Sequence, residues 1–248
     1  MEHIAIVGRS KVGLSLAAAI RRSKRMKLAC VIPARDAKYP AIDADVLIIA
    51  TKDDVTAMTA IKALHTCKTP PKIMLHLAGS QSPNVLPDVS GMSRLTLHPI
   101  QTFPKPDVKL LSGIYWMASS ENSKAIAWAK KFVRALGGKG IIVLKPDELP
   151  LYHAMTVFSA NFITLLGEAI EEMSTTLGQN PKRMKAALTP LMERALSNAL
   201  QKPAAEVLTG PFKRKDFDTI KKHQSALQKT SPNLRKIYDA FLNYAVRP

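Results

Sequence analysis

The stretch IAIVGRSKVGLSLAAAI, from Ile4 to Ile20, decides the reading of the fold. Its apolar run stops at Gly8, a short polar turn carries Gly13, and a helical pattern of small residues follows at once. Strand, glycine turn and helix in that order open a dinucleotide-binding unit. Such a turn lets a diphosphate rest on backbone N–H groups at a helix N-terminus, where the helix dipole favours negative charge. The spacing matches G-x-G-x-x-G at Gly8 and Gly13, with Ser10 in the middle position. The Ser10 hydroxyl lies where bare backbone usually meets the phosphates. It either donates a hydrogen bond to a phosphate oxygen or weakens binding. Gly8, Arg9, Ser10, Lys11, Val12 and Gly13 form the candidate cofactor cradle.

Outward from this start, short apolar runs alternate with helical patterns. Strands are predicted at His3–Val7, Leu28–Ile32, Val46–Ala50, Lys72–Leu77, Leu95–Leu97, Ile114–Ala118 and Gly140–Leu144, with helices at Lys11–Arg25, Asp53–Thr66 and Asn122–Leu136. Alternation of this kind predicts an α/β fold, a doubly wound, mostly parallel sheet of Rossmann type with helices on both faces. After Lys145-Pro146 only helical patterns remain, so a Rossmann domain over 1–146 and an all-α domain over 147–248 are expected. Leu151–Leu177 is apolar on most faces and reads as a central helix. Pro181–Leu200 carries Pro190 inside it, which predicts a kink or break. Helices over Asp216–Gln228 and Pro232–Val246 follow, the last with Ser231 as its N-cap.

At 248 residues the chain is long enough for a substantial core. Cys30 and Cys67 make neither a disulfide framework nor a zinc spacing, and Met1 runs straight into the first strand. A cytoplasmic protein without signal peptide or metal is expected. The apolar stretch Ala154–Leu166 is flanked by His153 and Glu168 and reads as too short for a bilayer. The formal charge of +17 points to nucleic acid, a membrane surface or an anionic ligand. Its densest cluster is Arg21, Arg22, Lys24, Arg25 and Lys27, at the edge opposite the expected cofactor crevice. Cations there complement a helix C-terminus, and neither nucleic acid nor membrane is expected as a partner.

Polar residues cluster where strands end. Arg35 follows the second strand, with Lys38 beyond it and Arg9 in the glycine turn, which favours the 2′-phosphate of NADP over NAD. Thr51 and Lys52 lie at the carboxyl end of the third strand, free to touch cofactor, while Asp53 is placed to cap the next helix. His76 and His98 each end a strand, where an imidazole can orient or protonate a substrate carbonyl. His153 and Asn161 fall on an i, i+4, i+8 row of the long helix, suited to substrate and the nicotinamide region. Leu208-Thr209-Gly210-Pro211 reads as a tight turn, and Arg214 beyond it suits a carboxylate or phosphate.

These segments resemble one family. LHPIQTF at 97–103, LYHA at 151–154 leading to SANF at 159–162, and LTGP at 208–211 with Arg214, Asp216 and His223 carry the resemblance. The family comprises uncharacterised Rossmann-like proteins with an all-helical C-terminal domain of unknown function, provisionally assigned as NADP-dependent oxidoreductases. Its architecture is similar to pyrroline-5-carboxylate reductase and the 6-phosphogluconate dehydrogenase superfamily. The sequence departs from the pattern at Ser10, at Ala78 where serine is usual, and at Lys215 where glycine is usual. What the resemblance implies is this fold and an NADP cofactor, without a known substrate; taken with the residues above, the expectation is an NADP(H)-dependent oxidoreductase acting on a small carbonyl, imine or hydroxy acid in a cleft between the domains. His98 or His153 would be the proton donor, Asn161 would orient substrate, and His76, Thr209 and Arg214 would bind it. A homodimer is expected with it. The alternative is a nucleotide-sensing protein without turnover, for which the Ser10 departure speaks.

Overall fold

The computed structural model describes residues 1–245. It divides into two compact units, Met1–Ala160 and Asn161–Pro248. In the first, β1 (Glu2–Val7), β2 (Met26–Ile32), β3 (Val46–Ile49), β4 (Ile73–His76), β5 (Ser93–Pro99), β6 (Tyr115–Ser119) and β7 (Gly140–Val143) form one sheet in the order β2-β1-β3-β4-β5-β6-β7. The five strands β1 to β5 are parallel. β6 runs antiparallel to β5, and β7 parallel to β6. The chain leaves β1 for β2 on one side and returns to β3 on the other. That reversal opens a crevice beyond the carboxyl ends of β1 and β3, where ligands bind in sheets of this kind.

Side-chain alternation along the strands builds two cores. Ile4 and Ile6 of β1 and Val46 and Ile48 of β3 pack with Leu16, Ala17 and Ile20 of α1 (Lys11–Arg22). The same layer contains Ala125, Ala129, Phe132 and Val133 of α3 (Ser123–Ala135). Ala5, Val7, Leu47 and Ile49 face the other way, onto Ala60 and Ala63 of α2 (Thr56–Leu64). Helices therefore cover both faces, and the central strands β3 and β4 are buried at every position.

Secondary structure does change near residue 146, but the first compact unit continues to Ala160. Leu149 and Tyr152, on α4 (Leu149–Thr156), are buried with Met117 of β6, which ties that helix to the sheet. A π-helical turn, Val157–Asn161, follows. The i, i+4, i+8 row through positions 153, 157 and 161 assumes α-helical pitch, which this turn lacks.

The second unit contains α5 (Phe162–Thr176), α6 (Pro181–Gln201), α7 (Ala204–Val207), α8 (Gly210–Arg214), α9 (Phe217–Thr230) and α10 (Pro232–Ala245). The end predicted for the last helix, Val246, lies outside the described residues. α6 runs through Pro190 without a break, with Asn180 capping its start by accepting from the Arg183 N–H. Thr209-Gly210-Pro211 opens a short helix in place of the expected simple turn. Asp216 caps α9 as expected, accepting from the Thr219 N–H.

Two expectations need correction. The long helical stretch is not central. Leu151, Met155, Phe158, Leu165 and Leu177 are exposed, and only Ile220 and Leu234 of the second unit's described apolar side chains are buried. The helical run Pro146–Thr176 also has the length and composition of a membrane-crossing helix, because the apolar stretch extends on both sides of Ala154–Leu166. An apolar groove of about 680 Å³, lined by Leu166, Met173, Leu227, Ile237 and Phe241, lies within the second unit.

α8 ends at Lys215, at φ 53° and ψ 40°, the only non-glycine residue with positive φ among those described. This is where the family pattern has glycine, which adopts the left-handed region without a Cβ clash. Lys215→Gly is expected to stabilise the protein by about 1 kcal/mol, read as a higher denaturant midpoint at unchanged m-value.

Candidate functional site

The crevice is shaped by the glycine turn. Gly8 has φ +114°, and a Cβ there would lie 2.2 Å from the Ala50 carbonyl oxygen. A Cβ on Gly13 would meet the Ala50 methyl at 2.6 Å. The Gly8 N–H bonds the Ile32 carbonyl at 2.8 Å and the Ser10 N–H bonds the Ala50 carbonyl at 3.3 Å, so the turn is stitched to β2 and β3. Ser10 is the N-cap of α1, its Oγ accepting from the Gly13 N–H at 3.1 Å. The Ser10 hydroxyl proton and the Lys11 and Val12 N–H groups have no partner among the described residues. Arg9 and Lys11 are exposed beside them. A turn that only glycine fits, opening onto unpaired donors and cations, suits the diphosphate of a dinucleotide.

Around the turn, Arg35 is exposed just beyond the end of β2, with no ion pair among the described residues. Tyr39 braces the same loop by donating to the Ala34 carbonyl at 2.7 Å, and the Lys62 ammonium sits 4.2 Å above its ring. Thr51 is partly buried, its Oγ1 3.3 Å from Thr56 Oγ1, whereas Lys52 is exposed. Asp53 does not cap the following helix. It lies within the first turn, accepting from the Ser80 hydroxyl at 2.9 Å, and its carbonyl accepts from the Gln81 amide at 2.8 Å. The Gln81 Oε1 atom at this edge is buried without a partner among the described residues.

His76 is a brace rather than a ligand-binding group. It is fully buried, and Nδ1 accepts from the Ala78 N–H at 3.2 Å. The proton therefore sits on Nε2, facing the Ser82 carbonyl at 3.2 Å and the Thr96 hydroxyl at 3.0 Å. Thr96 in turn donates to the Gln81 carbonyl at 3.0 Å. Both ring nitrogens are engaged within the protein, and desolvation lowers the His76 pKa to about 4.

His98, on β5, keeps one nitrogen available. Its Nδ1 lies 2.7 Å from Tyr152 Oη. The phenol has a proton to give, so Nδ1 accepts and the imidazole proton sits on Nε2, which has no partner among the described residues. Desolvation, reinforced by His153, lowers the His98 pKa to about 4 and holds it neutral. Burial likewise raises the Tyr152 pKa, keeping the phenol protonated. The His153 ring stands edge-on to His98 with centroids 6.4 Å apart. A Cβ on Gly79 would fall 2.9 Å from the His98 ring, so the loop after β4 leaves room for the imidazole only with glycine there.

The structure thus gathers His98 and His153 with Tyr152 and Gly79. Sequence reasoning placed the histidines, met Tyr152 in the LYHA motif without giving it a role, and missed Gly79 as a functional position. A glycine directly after one strand and a tyrosine beside a histidine were the available signals. Asn161, Thr209 and Arg214 belong to the second unit and are exposed. Among the described residues no group of three or more metal-ligating side chains is arranged for a metal ion.

Solved structures with this fold are numerous. One is an NADP oxidoreductase from Bacteroides fragilis, so named provisionally, with TM-score 0.80, 18% identity and coverage of 98% of this chain and 97% of that one. A second is a pyrroline carboxylate reductase from Plasmodium falciparum with NADP bound (TM-score 0.60, 11% identity, coverage 99% and 98%). A third is a semialdehyde dehydrogenase NAD-binding protein from Cupriavidus necator in complex with calcium and NAD (TM-score 0.64, 15% identity, coverage 96% and 95%). At these identities the likeness establishes the fold: a Rossmann-type sheet followed by an all-helical portion. No curated protein matches the sequence. A family match covers more than half of the chain, residues 114–244, and the chain belongs to that family, described as Domain of unknown function (DUF2520).

Proposed function

We propose that this protein is an NADP(H)-dependent oxidoreductase of small carbonyl, imine or hydroxy-acid compounds. The observation that carries the reading is the glycine turn, with the Lys11 and Val12 N–H groups unpaired at the start of α1. Similar folds that bind NADP or NAD support it. The Ser10 hydroxyl proton, turned from the Gly13 bond, donates to a phosphate oxygen. Arg35, with Arg9 near the turn, pairs with the 2′-phosphate. Thr51 and Lys52 line the cofactor's path at the end of β3.

A bound nicotinamide supplies or accepts the hydride. The Nε2–H of His98 donates a hydrogen bond to the carbonyl oxygen or imine nitrogen and keeps its proton, polarising the double bond as a neutral imidazole, with Tyr152 holding the tautomer through Nδ1. His153, partly open to solvent, passes a proton from water to that oxygen or nitrogen, which balances the hydride. A second copy of the chain covers the helical unit. Two buried apolar side chains do not make a core for a unit of that length, and one copy offers both an apolar groove and exposed apolar helices to fill another.

NADPH is expected to raise the melting temperature more than NADH, and to be consumed with at least one compound of a small carbonyl and imine panel. Arg35→Ala should weaken NADPH about tenfold and leave NADH unchanged. No shift with any pyridine nucleotide would overturn the reading, whereas tight binding without turnover would favour a sensor. Free imidazole titrates near 6.5 and His98 near 4, so the unfolded chain takes up a proton first as the pH falls. The His98 contribution to stability is complete above pH 6.5 and lost as the pH falls through 4. His98→Asn should make that part of the melting-temperature profile shallower but not flat, because His76 titrates over the same window, and nitrogen NMR should show His98 protonated on Nε2 at neutral pH. Light scattering in detergent-free buffer should give the mass of two chains; a single-chain mass, or solubility only in detergent, would remove the second copy.

A further inference from the structure

The +17 charge is not accounted for by one dinucleotide. Between Glu2 and Asp36 the chain has eight cationic residues and no acid, and between Glu121 and Asp147 it has six and no acid. The fold brings these two acid-free stretches together. α1 and α3 pack against the same face of the sheet, sharing one core. The Trp128 indole N–H of α3 bonds both oxygens of the Glu2 carboxylate, at 2.9 and 2.8 Å. Glu2 is in turn the register partner of Met26, within the run Arg21, Arg22, Lys24, Arg25, Lys27. Lys124 and Lys131 stand one turn to either side of Trp128.

All seven of these cations are exposed, and none takes part in an ion pair among the described residues. The one acid at their centre, Glu2, is occupied by the indole. A helix C-terminus needs a cation or two, not seven. The patch also lies at the amino ends of β1 and β2, away from the glycine turn at their carboxyl ends.

We infer that this end of the sheet binds the phosphodiester backbone of nucleic acid. Repeated unpaired cations across two neighbouring elements match a polyanion of regular charge spacing. Ile20 and Met26, the apolar residues within and beside the run, are buried, and the exposed Met1 next to Glu2 is a single apolar side chain, too little to anchor a lipid surface. Contacts to phosphates alone carry no sequence information, so this binding is indifferent to sequence. Sequence reading alone sees one basic run on a helix end; the second stretch joins it only through the fold.

The test is fluorescence anisotropy of the full chain with a short single-stranded DNA and with its duplex, over a range of salt. Binding to at least one is expected, falling steeply with salt. A variant carrying R21Q, R22Q, K24Q and R25Q should bind more than about tenfold more weakly, with a salt slope smaller by about 3 to 4 for the duplex. Its circular dichroism melt should match the parent, because the four side chains are exposed. A charge-matched control, K202Q with K221Q, K222Q and K229Q in the helical unit, should keep the parent affinity. The inference is overturned if neither DNA binds, if the control loses as much as the patch variant, or if phosphatidylserine vesicles bind while both DNAs do not.

Discussion

The close approach of the first turn to the end of β3 governs this molecule. Gly8 passes the Ala50 carbonyl with no space for a Cβ, and Gly13 rests against the Ala50 methyl. Through that contact β1, α1 and β3 are locked into one arrangement, with the Gly8 N–H adding β2. The start of α1 is thereby held at the point where strand order reverses, and its unpaired N–H groups open outward. The contact also explains which glycines of the fingerprint remain. Position 8 is demanded by the Ala50 backbone and position 13 by the Ala50 methyl, so neither tolerates a side chain. Position 10 faces outward, and there a serine is accommodated as a helix cap.

A second dependency runs between buried His76 and half-buried His98. His76, through Ala78, Ser82 and Thr96, fixes the loop after β4. Gly79 sits in that loop and abuts His98. The inward imidazole therefore acts through the outward one, setting the space in which His98 stands. Both are neutral for the same reason, desolvation, yet only His98 retains a free nitrogen.

All seven strands and the helices α1, α2 and α3 were legible in the sequence, because strands buried on both faces read as continuous apolar runs between helical patterns. The cradle was legible from glycine spacing. What pattern could not separate was His76 from His98, since both end a strand and differ only in what packs around them. Tyr152 escaped because its partner lies 54 residues away in sequence. The long helix was misjudged because an apolar face looks alike whether neighbouring helices, a second chain or lipid cover it. The π turn leaves no compositional trace, and it shifted the row on which His153 and Asn161 were aligned.

The tight seat of His98 has a consequence for how its donor is prepared. With Gly79 against one side of the ring and Tyr152 bonded at 2.7 Å, the imidazole has no room to swing. In the reaction proposed, the substrate's oxygen or nitrogen comes to a donor fixed in advance, and no binding energy goes into ordering it. That rigidity is owed to the missing Cβ of a glycine, a residue that itself meets no reacting atom.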